Sequence, residues 1–145
     1  MPQYSLLERQ VERDILPFCR AQEIGTLGYG TYAGGILTGK FKEIPVFEPG
    51  DDRAQFYDYF RQPLWDRVQQ LIEVLREIAS AHSATVAEVA RNWAIREQGG
   101  VTSALVGVKN VRQARENAAG TDWSLNGEEL SRIESAWSTM SGSDG

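Results

Sequence analysis

Residues 101–118 read VTSALVGVKNVRQARENA, and the class of the fold turns on them. Val101 to Val106 is a β-rich run. Gly107, a basic residue and Asn110 follow at once, and Val111, Ala114 and Ala118 then recur at helical spacing, with Asn110 placed to cap the helix. A short strand feeding a capped helix is the repeating step of a parallel α/β fold. Immediately upstream, Thr85-Val-Ala-Glu88 has the spacing of a capping box. Val86, Val89, Ala90, Trp93 and Ala94 give the helix it opens a buried face that runs until Gly99-Gly100. Further upstream lies the strongest helix of the chain. There Leu64, Trp65, Val68, Leu71, Ile72, Leu75, Ile78 and Ala79 form one apolar stripe opposite Asp66, Arg67, Gln69, Gln70, Glu73 and Arg76.

Toward the amino terminus, Ser5-Leu-Leu-Glu8 also has capping-box spacing, and Leu7, Val11, Ile15 and Phe18 continue at helical intervals to Gly25. Pro17 is expected to kink this helix or force a locally irregular turn, because proline removes one backbone donor. Thr26-Leu-Gly-Tyr29 reads as a short buried strand, and Gly30 to Gly35 as a loop whose glycines let the backbone approach something closely. Residues 41–63 carry Phe41, Phe47, Phe56, Tyr57, Tyr59 and Phe60 without a sustained period of 2 or 3.6, an aromatic excursion. A last helix starts near Asn126, with Leu130, Ile133 and Trp137 on one side, and Ser141 to Gly145 has the composition of a frayed end. The chain therefore divides into one unit over 1–140 and a flexible tail over 141–145.

A length of 145 residues, 41% of them hydrophobic, suffices for one buried core. The formal net charge of −5 argues against broad contact with a phosphate backbone, so nucleic acid is not an expected partner. The single cysteine, Cys19, excludes an intrachain disulfide and reads as packing; the single histidine, His82, excludes a His-rich metal cluster. A cytoplasmic setting fits this usage. No apolar run approaches a membrane span, and MPQYSLLERQ lacks the apolar core of a signal peptide. Two strands are clear and a third is suspected at Pro2 to Tyr4. Because parallel strands need pairing and cover on both sides, more sheet is expected before residue 1.

Four segments, in order, carry a resemblance: Gln3 to Arg9, Tyr29 to Lys40 (YGTYAGGILTGK), Thr85 to Trp93 (TVAEVARNW) and Leu105 to Asn117 (LVGVKNVRQAREN). Together they resemble the last part of the aldo-keto reductase family, over about residues 1–137. The resemblance implies a partial (β/α)8 TIM barrel. Gln3 would end strand six, Thr26 to Tyr29 would be strand seven and Val101 to Val106 strand eight, with helices six to eight and a carboxy-terminal cap helix between and after them. Ligand loops of such barrels lie at the carboxy ends of the strands, where Gln3, Tyr29 and Gly107 fall.

The resemblance also implies roles. Tyr29 would stack under a nicotinamide ring, and Gln3 would hydrogen-bond its carboxamide, an amide being both donor and acceptor. Gly30, Thr31, Tyr32, Ala33 and Gly34 would form the pyrophosphate strap, although the family's usual Ser-Pro-Leu after the tyrosine is here Gly-Thr-Tyr. Gly107, Lys109 and Asn110 would face the adenosine ribose. Lys109 would neutralise a 2′-phosphate, which makes NADP the expected cofactor. Gln113, Glu116 and Asn117 would read the adenine edge. The Asp, Tyr, Lys and His that supply the proton and the oxyanion pocket in this family have no counterpart here, so no catalytic residue is assigned. His82 occupies an ordinary surface position, and Glu48 to Asp58 reads as a solvated loop that, as part of the Phe41–Phe60 excursion, could wall a substrate site. The expected function is that of a reductase fragment with part of an NADP site, meeting a small carbonyl substrate only once the barrel is completed by the missing amino-terminal half. The competing reading is a non-catalytic half-barrel that assembles, as a homo-oligomer, through its exposed sheet edges.

Overall fold

A computed structural model describes residues 1–142. Its helices are α1 (Ile15–Ala21), α2 (Arg53–Phe56), α3 (Leu64–Ala81), α4 (Val86–Ala94), α5 (Val111–Ala119) and α6 (Gly127–Gly142), and its strands are β1 (Leu27–Gly28) and β2 (Ser103–Ala104). β1 and β2 are parallel, with Leu27 opposite Ser103 and Gly28 opposite Ala104. On the other side of β1 the suspected third strand appears as a single parallel bridge from Gln3 to Tyr29. Tyr4 N donates to Tyr29 O at 2.9 Å, Tyr29 N to Pro2 O at 3.0 Å, and Leu105 N to Gly28 O at 2.7 Å. The result is a mostly helical α/β chain around a narrow parallel sheet.

The core lies on the helical side. The stripe read on α3 is buried from Trp65 to Ala79, with Leu64 half-buried at its start, and α3 packs against both α6 and α4. α4 opens on the expected capping box: Thr85 N donates to Glu88 Oε2 at 2.6 Å and Glu88 N to Thr85 Oγ1 at 3.2 Å. Asn126 and Glu129 do the same for α6, backbone to side chain in both directions at 2.9 Å. Tyr4 stacks on Trp93 at 5.4 Å and joins the first strand segment to α4. One face of the sheet enters this core. A methyl at Gly28 would stand 3.0 Å from Val101 and 3.4 Å from Tyr4.

Several local expectations are corrected. The expected burial of residues 26–29 holds for Gly28 alone, because Leu27 and Tyr29 point to a face of the sheet that no layer among the described residues covers. Ser5 does not start a helix; its hydroxyl accepts from Leu7 N and Glu8 N at 3.1 Å in a tight turn. A 3₁₀ turn follows at Gln10–Glu12, and α1 begins only at Ile15, where Asp14 Oδ1 accepts from Ile15 N at 2.9 Å. Pro17 therefore falls in the first turn, where its missing N–H has no partner to lose; it kinks no helix, and the irregular turn that was the other expectation is present just ahead of α1. α4 stops at Ala94, before Gly99, because the chain turns at Ile95 toward β2. The excursion holds two short helical pieces, α2 and a 3₁₀ turn Asp58–Phe60, and its Phe41, Phe47 and Phe60 rings meet edge to face. α6 continues through Ser141 and Gly142, while the rest of the expected tail, 143–145, lies outside the described residues. Among the described residues no helix is long and apolar enough to cross a membrane.

Candidate functional site

Parallel strands release their loops at one edge of the sheet, so the turn after Gln3, the Gly30–Gly35 loop and the segment leading from Leu105 into α5 emerge side by side. Gln3 and Tyr29 are bridge partners in that row. Tyr29 is 46% exposed, on the uncovered face.

Gly30, Ala33, Gly34 and Gly35 all take positive φ (72°, 45°, 69° and 97°), which curls the loop tightly back on itself. At Gly34 the need for glycine is also steric, since a methyl there would stand 2.8 Å from the Tyr57 ring. Thr31 is 2% exposed and its hydroxyl donates to Leu105 O at 3.1 Å, which ties the loop to the end of β2. The Tyr32 hydroxyl donates to Asn117 Oδ1 at 3.3 Å and ties the same loop to α5. Burial raises the Tyr32 pKa, against the pull of the Arg91 guanidinium beside it.

On α5 the polar residues are also engaged. Asn110 Oδ1 accepts from Gln113 N at 2.9 Å, the expected cap, and Gln113 Oε1 accepts from Lys109 N at 2.8 Å. Glu116 pairs with Arg112 at 2.9 Å. Gly107 stands in open space, and the side chain of Lys109 is exposed. No residue of α5 is buried, so the helix rests on the body through contacts such as that of Asn117 with Tyr32.

Two cations missing from the sequence-based set complete this surface. Arg53 grips Asp51 through Nε at 2.9 Å and Nη2 at 2.5 Å, lies 4.5 Å over the Phe47 ring, and donates from Nη1 to Gly34 O at 3.2 Å. The guanidinium holds the Asp51 carboxyl down to about 2, with Lys109 acting in the same direction. Lys40 borders the loop as well, its Nζ 3.5 Å from where a methyl on Gly35 would be. Burial lowers its pKa, and the positive charges of Arg53 and Lys109 lower it further. Arg53 and Lys40 thus flank Gly34 and Gly35, and the charge of Lys109 acts on Lys40 and Asp51, with Asp51 as a partial counter-charge. Such a group is relieved by an incoming polyanion. Lys40 ends the quoted Tyr29–Lys40 motif and was legible there. Arg53 sits in the aperiodic excursion, where no local pattern marks it.

Another polar cluster joins two helices. His82 Nε2 lies 2.5 Å from Glu129 Oε1 and its ring stacks on Trp123 at 4.2 Å, which pins the end of α3 to the start of α6. A cavity of about 450 Å³ lined by Asn92, Ile95, Trp123, Leu125 and Leu130 includes none of the expected cofactor residues. Among the described residues no three His, Cys, Asp or Glu side chains are grouped to hold a metal.

Residues 1–138 match the model of the aldo/keto reductase family. The chain belongs to that family. It is 33% identical over 133 residues to the aldo-keto reductase YhdN of Bacillus subtilis, covering 91% of this chain and 40% of the relative. To the NADH-specific methylglyoxal reductase of Escherichia coli it is 30% identical over 122 residues, covering 84% of this chain and 36% of the relative. Among solved structures, the glycerol dehydrogenase of Gluconobacter oxydans superposes with a TM-score of 0.85 at 25% identity, over 97% of this chain and 42% of that one. An aldo-keto reductase from Klebsiella pneumoniae, solved with NADPH, superposes with a TM-score of 0.61 at 25% identity, over 93% of this chain and 37% of that one. The chain thus spans well under half the length of these family members.

Proposed function

We propose that this chain is the cofactor-binding sector of a (β/α)8-barrel oxidoreductase that reduces aldehydes or ketones with NADP, contributing strands six to eight, their helices and the cap helix. The observation that carries the reading is the convergence of Gln3, Tyr29, the glycine loop and the start of α5 at one edge of a parallel sheet, together with Lys40, Arg53 and Lys109. The residues fit a dinucleotide by charge and shape. Tyr29 offers an uncovered flat ring for a nicotinamide, and the glycine loop offers backbone close at hand for a pyrophosphate. The three cations suit the phosphates, and the surplus of positive charge near Lys109 favours a 2′-phosphorylated cofactor. Thr31, Tyr32, Asn110, Gln113 and Asn117 serve this site by holding the loop and α5 in place, since their side chains already have partners within the chain.

When bound, the nicotinamide supplies a hydride to a carbonyl carbon. Reduction also needs a proton donor and a polarised carbonyl oxygen, and no Asp, Tyr, Lys and His set for that task is recognised in the chain. The chain alone therefore binds NADPH without turning over an aldehyde. A fluorescence titration with NADPH, run beside an aldehyde-dependent NADPH oxidation assay, tests this. Saturable binding that weakens roughly fivefold or more in Tyr29→Ala, without turnover, is expected, since losing an aromatic stacking face costs about 1–3 kcal/mol. A well-folded chain that binds nothing contradicts the reading, and turnover contradicts the absence of a catalytic set.

A second feature favours assembly. Leu27, Tyr29 and Leu105 are exposed on one face of the sheet, and Ile15, Phe18 and Val111 are exposed on the flanking helices. Parallel sheet is ordinarily covered on both faces. The remaining strands of such a barrel, or failing those a second copy of this chain, fit that face, and a completed barrel is where a small carbonyl substrate would meet the cofactor.

A further inference from the structure

We propose that the cavity between the end of α4 and the start of α6 is a second ligand site, one that takes a small neutral aromatic molecule carrying a hydrogen-bond donor, such as a phenol. The cavity measures about 450 Å³, within the range of small-molecule sites. It lies away from the row of Gln3, Tyr29 and the glycine loop. α4 turns at Ile95, and the chain returns through Gly100 to Val101, whose N donates to Ala94 O at 2.9 Å, before β2 begins. The wall residues from α4 therefore flank the amino end of β2, whereas the row gathers at the carboxy ends of the strands. The site stands or falls independently of the cofactor reading.

Ile95, Trp123, Leu125 and Leu130 give the cavity apolar walls, each half-buried against the core. Trp123 is a flat wall held in place by His82, whose ring stacks on it at 4.2 Å with the planes 16° apart. A rigid flat wall favours a flat ring, which loses little conformational freedom on binding. Asn92 supplies the polar feature. It is 4% exposed and lines the cavity, and its Nδ2 donates to Trp123 O at 2.9 Å. That bond fixes the amide, because only the nitrogen can donate to a carbonyl, and it leaves Oδ1 as the acceptor Asn92 still has to offer. Oδ1 is buried and has no partner among the described residues. An unmet buried acceptor is costly, and a donor brought to it through the cavity relieves that cost.

The charges select against an anion. Arg96 is the one cation among the described residues that line the cavity, and it is committed: Nη1 donates to Tyr4 Oη and Trp93 O, both at 2.8 Å, and Nη2 to Glu12 at 3.0 Å. Glu97 also lines the cavity, and the first turn of α6 carries Glu128 and Glu129. A cation would exchange water for apolar walls with only the exposed Glu97 to face, a weak return. A neutral ring with one donor meets both the walls and Oδ1.

Fluorine NMR titration of the chain with para-fluorophenol, and with para-fluoroanisole as the same ring without the donor, tests the site. Saturable binding of the phenol, tighter than that of the anisole by roughly two- to tenfold, is expected, the worth of one net hydrogen bond. Asn92→Leu is expected to erase the preference while the anisole still binds. Since that substitution also gives up the bond to Trp123 O, backbone amide shifts of the wild-type chain locate the site without it. The phenol is expected to move the signals of residues 92–98 and 123–130 and to leave those of Tyr29 to Gly35 in place. Equal affinities for the two probes, or a folded Asn92→Leu that keeps the preference, overturn the pairing with Oδ1 and the proposal with it. No saturation, as when the cavity takes only water, or shifts centred on the glycine loop, overturn the site itself.

Discussion

At Gly34 two independent constraints meet: φ is 69°, and a β-carbon would stand 2.8 Å from the Tyr57 ring. Gly50 has a similar backbone, φ 89°, with open space around it. Gly50→Ala is expected to cost only the left-handed penalty, about 1–2 kcal/mol, and Gly34→Ala more than that by the strain of displacing Tyr57. Equal melting temperatures for the two variants would show that Tyr57 does not lean on the loop. Glu12 gives a pH prediction. It accepts from Arg9 Nε at 3.0 Å, Arg96 Nη2 at 3.0 Å and Tyr4 Oη at 2.6 Å. Burial alone would raise its pKa, but Arg9, Tyr4 and Arg96 prevail and lower it below 4.5. A carboxyl depressed in the folded state stabilises above its unfolded pKa, and that share is lost as pH falls toward the folded value. Glu12→Gln should therefore lower the melting temperature near pH 7 and flatten the decline between about pH 5 and about pH 3. A parallel downward shift at every pH would contradict this. Such residue-scale detail was legible where the partner is local, as at Asn110 and Gln113. It was not legible for Thr31, whose partner Leu105 is 74 positions away.

Helices with closed local signals were read well. Thr85 and Glu88 sit three residues apart ahead of an apolar face, and both hydrogen bonds of the box form. Thr85→Ala removes one of them and unsettles the other, which should cost about 1 kcal/mol in a denaturant melt, with an unchanged m-value. No change would mean that the α3–α4 contact alone fixes the start of α4. The same spacing at Ser5 misled, because an Ser-x-x-Glu pattern satisfies a tight turn as readily as a helix. What decided between them was the pull of the Gln3–Tyr29 bridge and of buried Tyr4 on the preceding residues. α5 shows the opposite limit. Its cap was evident, yet its apolar residues Val111, Ala114 and Ala118 do not reach a core, a fact of tertiary placement that periodicity does not carry.

For the molecule as a whole, the order of strand and helix signals was enough to give parallel α/β structure, and the motif order was enough to give the family. Which strand face would stay bare was not legible. Leu27, Tyr29 and Leu105 have the composition of a buried strand, and only the assembled sheet shows that the described residues provide no layer over them. The cation group was half legible for a similar reason, since Arg53 reaches the loop from 19 positions away. The proposed binding of a phosphorylated dinucleotide rests on that group. Calorimetric titration of NADPH into the wild-type chain and into Arg53→Gln, under one salt condition and with mass checked by light scattering, tests it most directly. Saturable binding by the wild type that weakens by about tenfold or more in the variant is predicted, the worth of a charge-assisted contact. Equal affinities, or no binding by a folded wild-type chain, would contradict it.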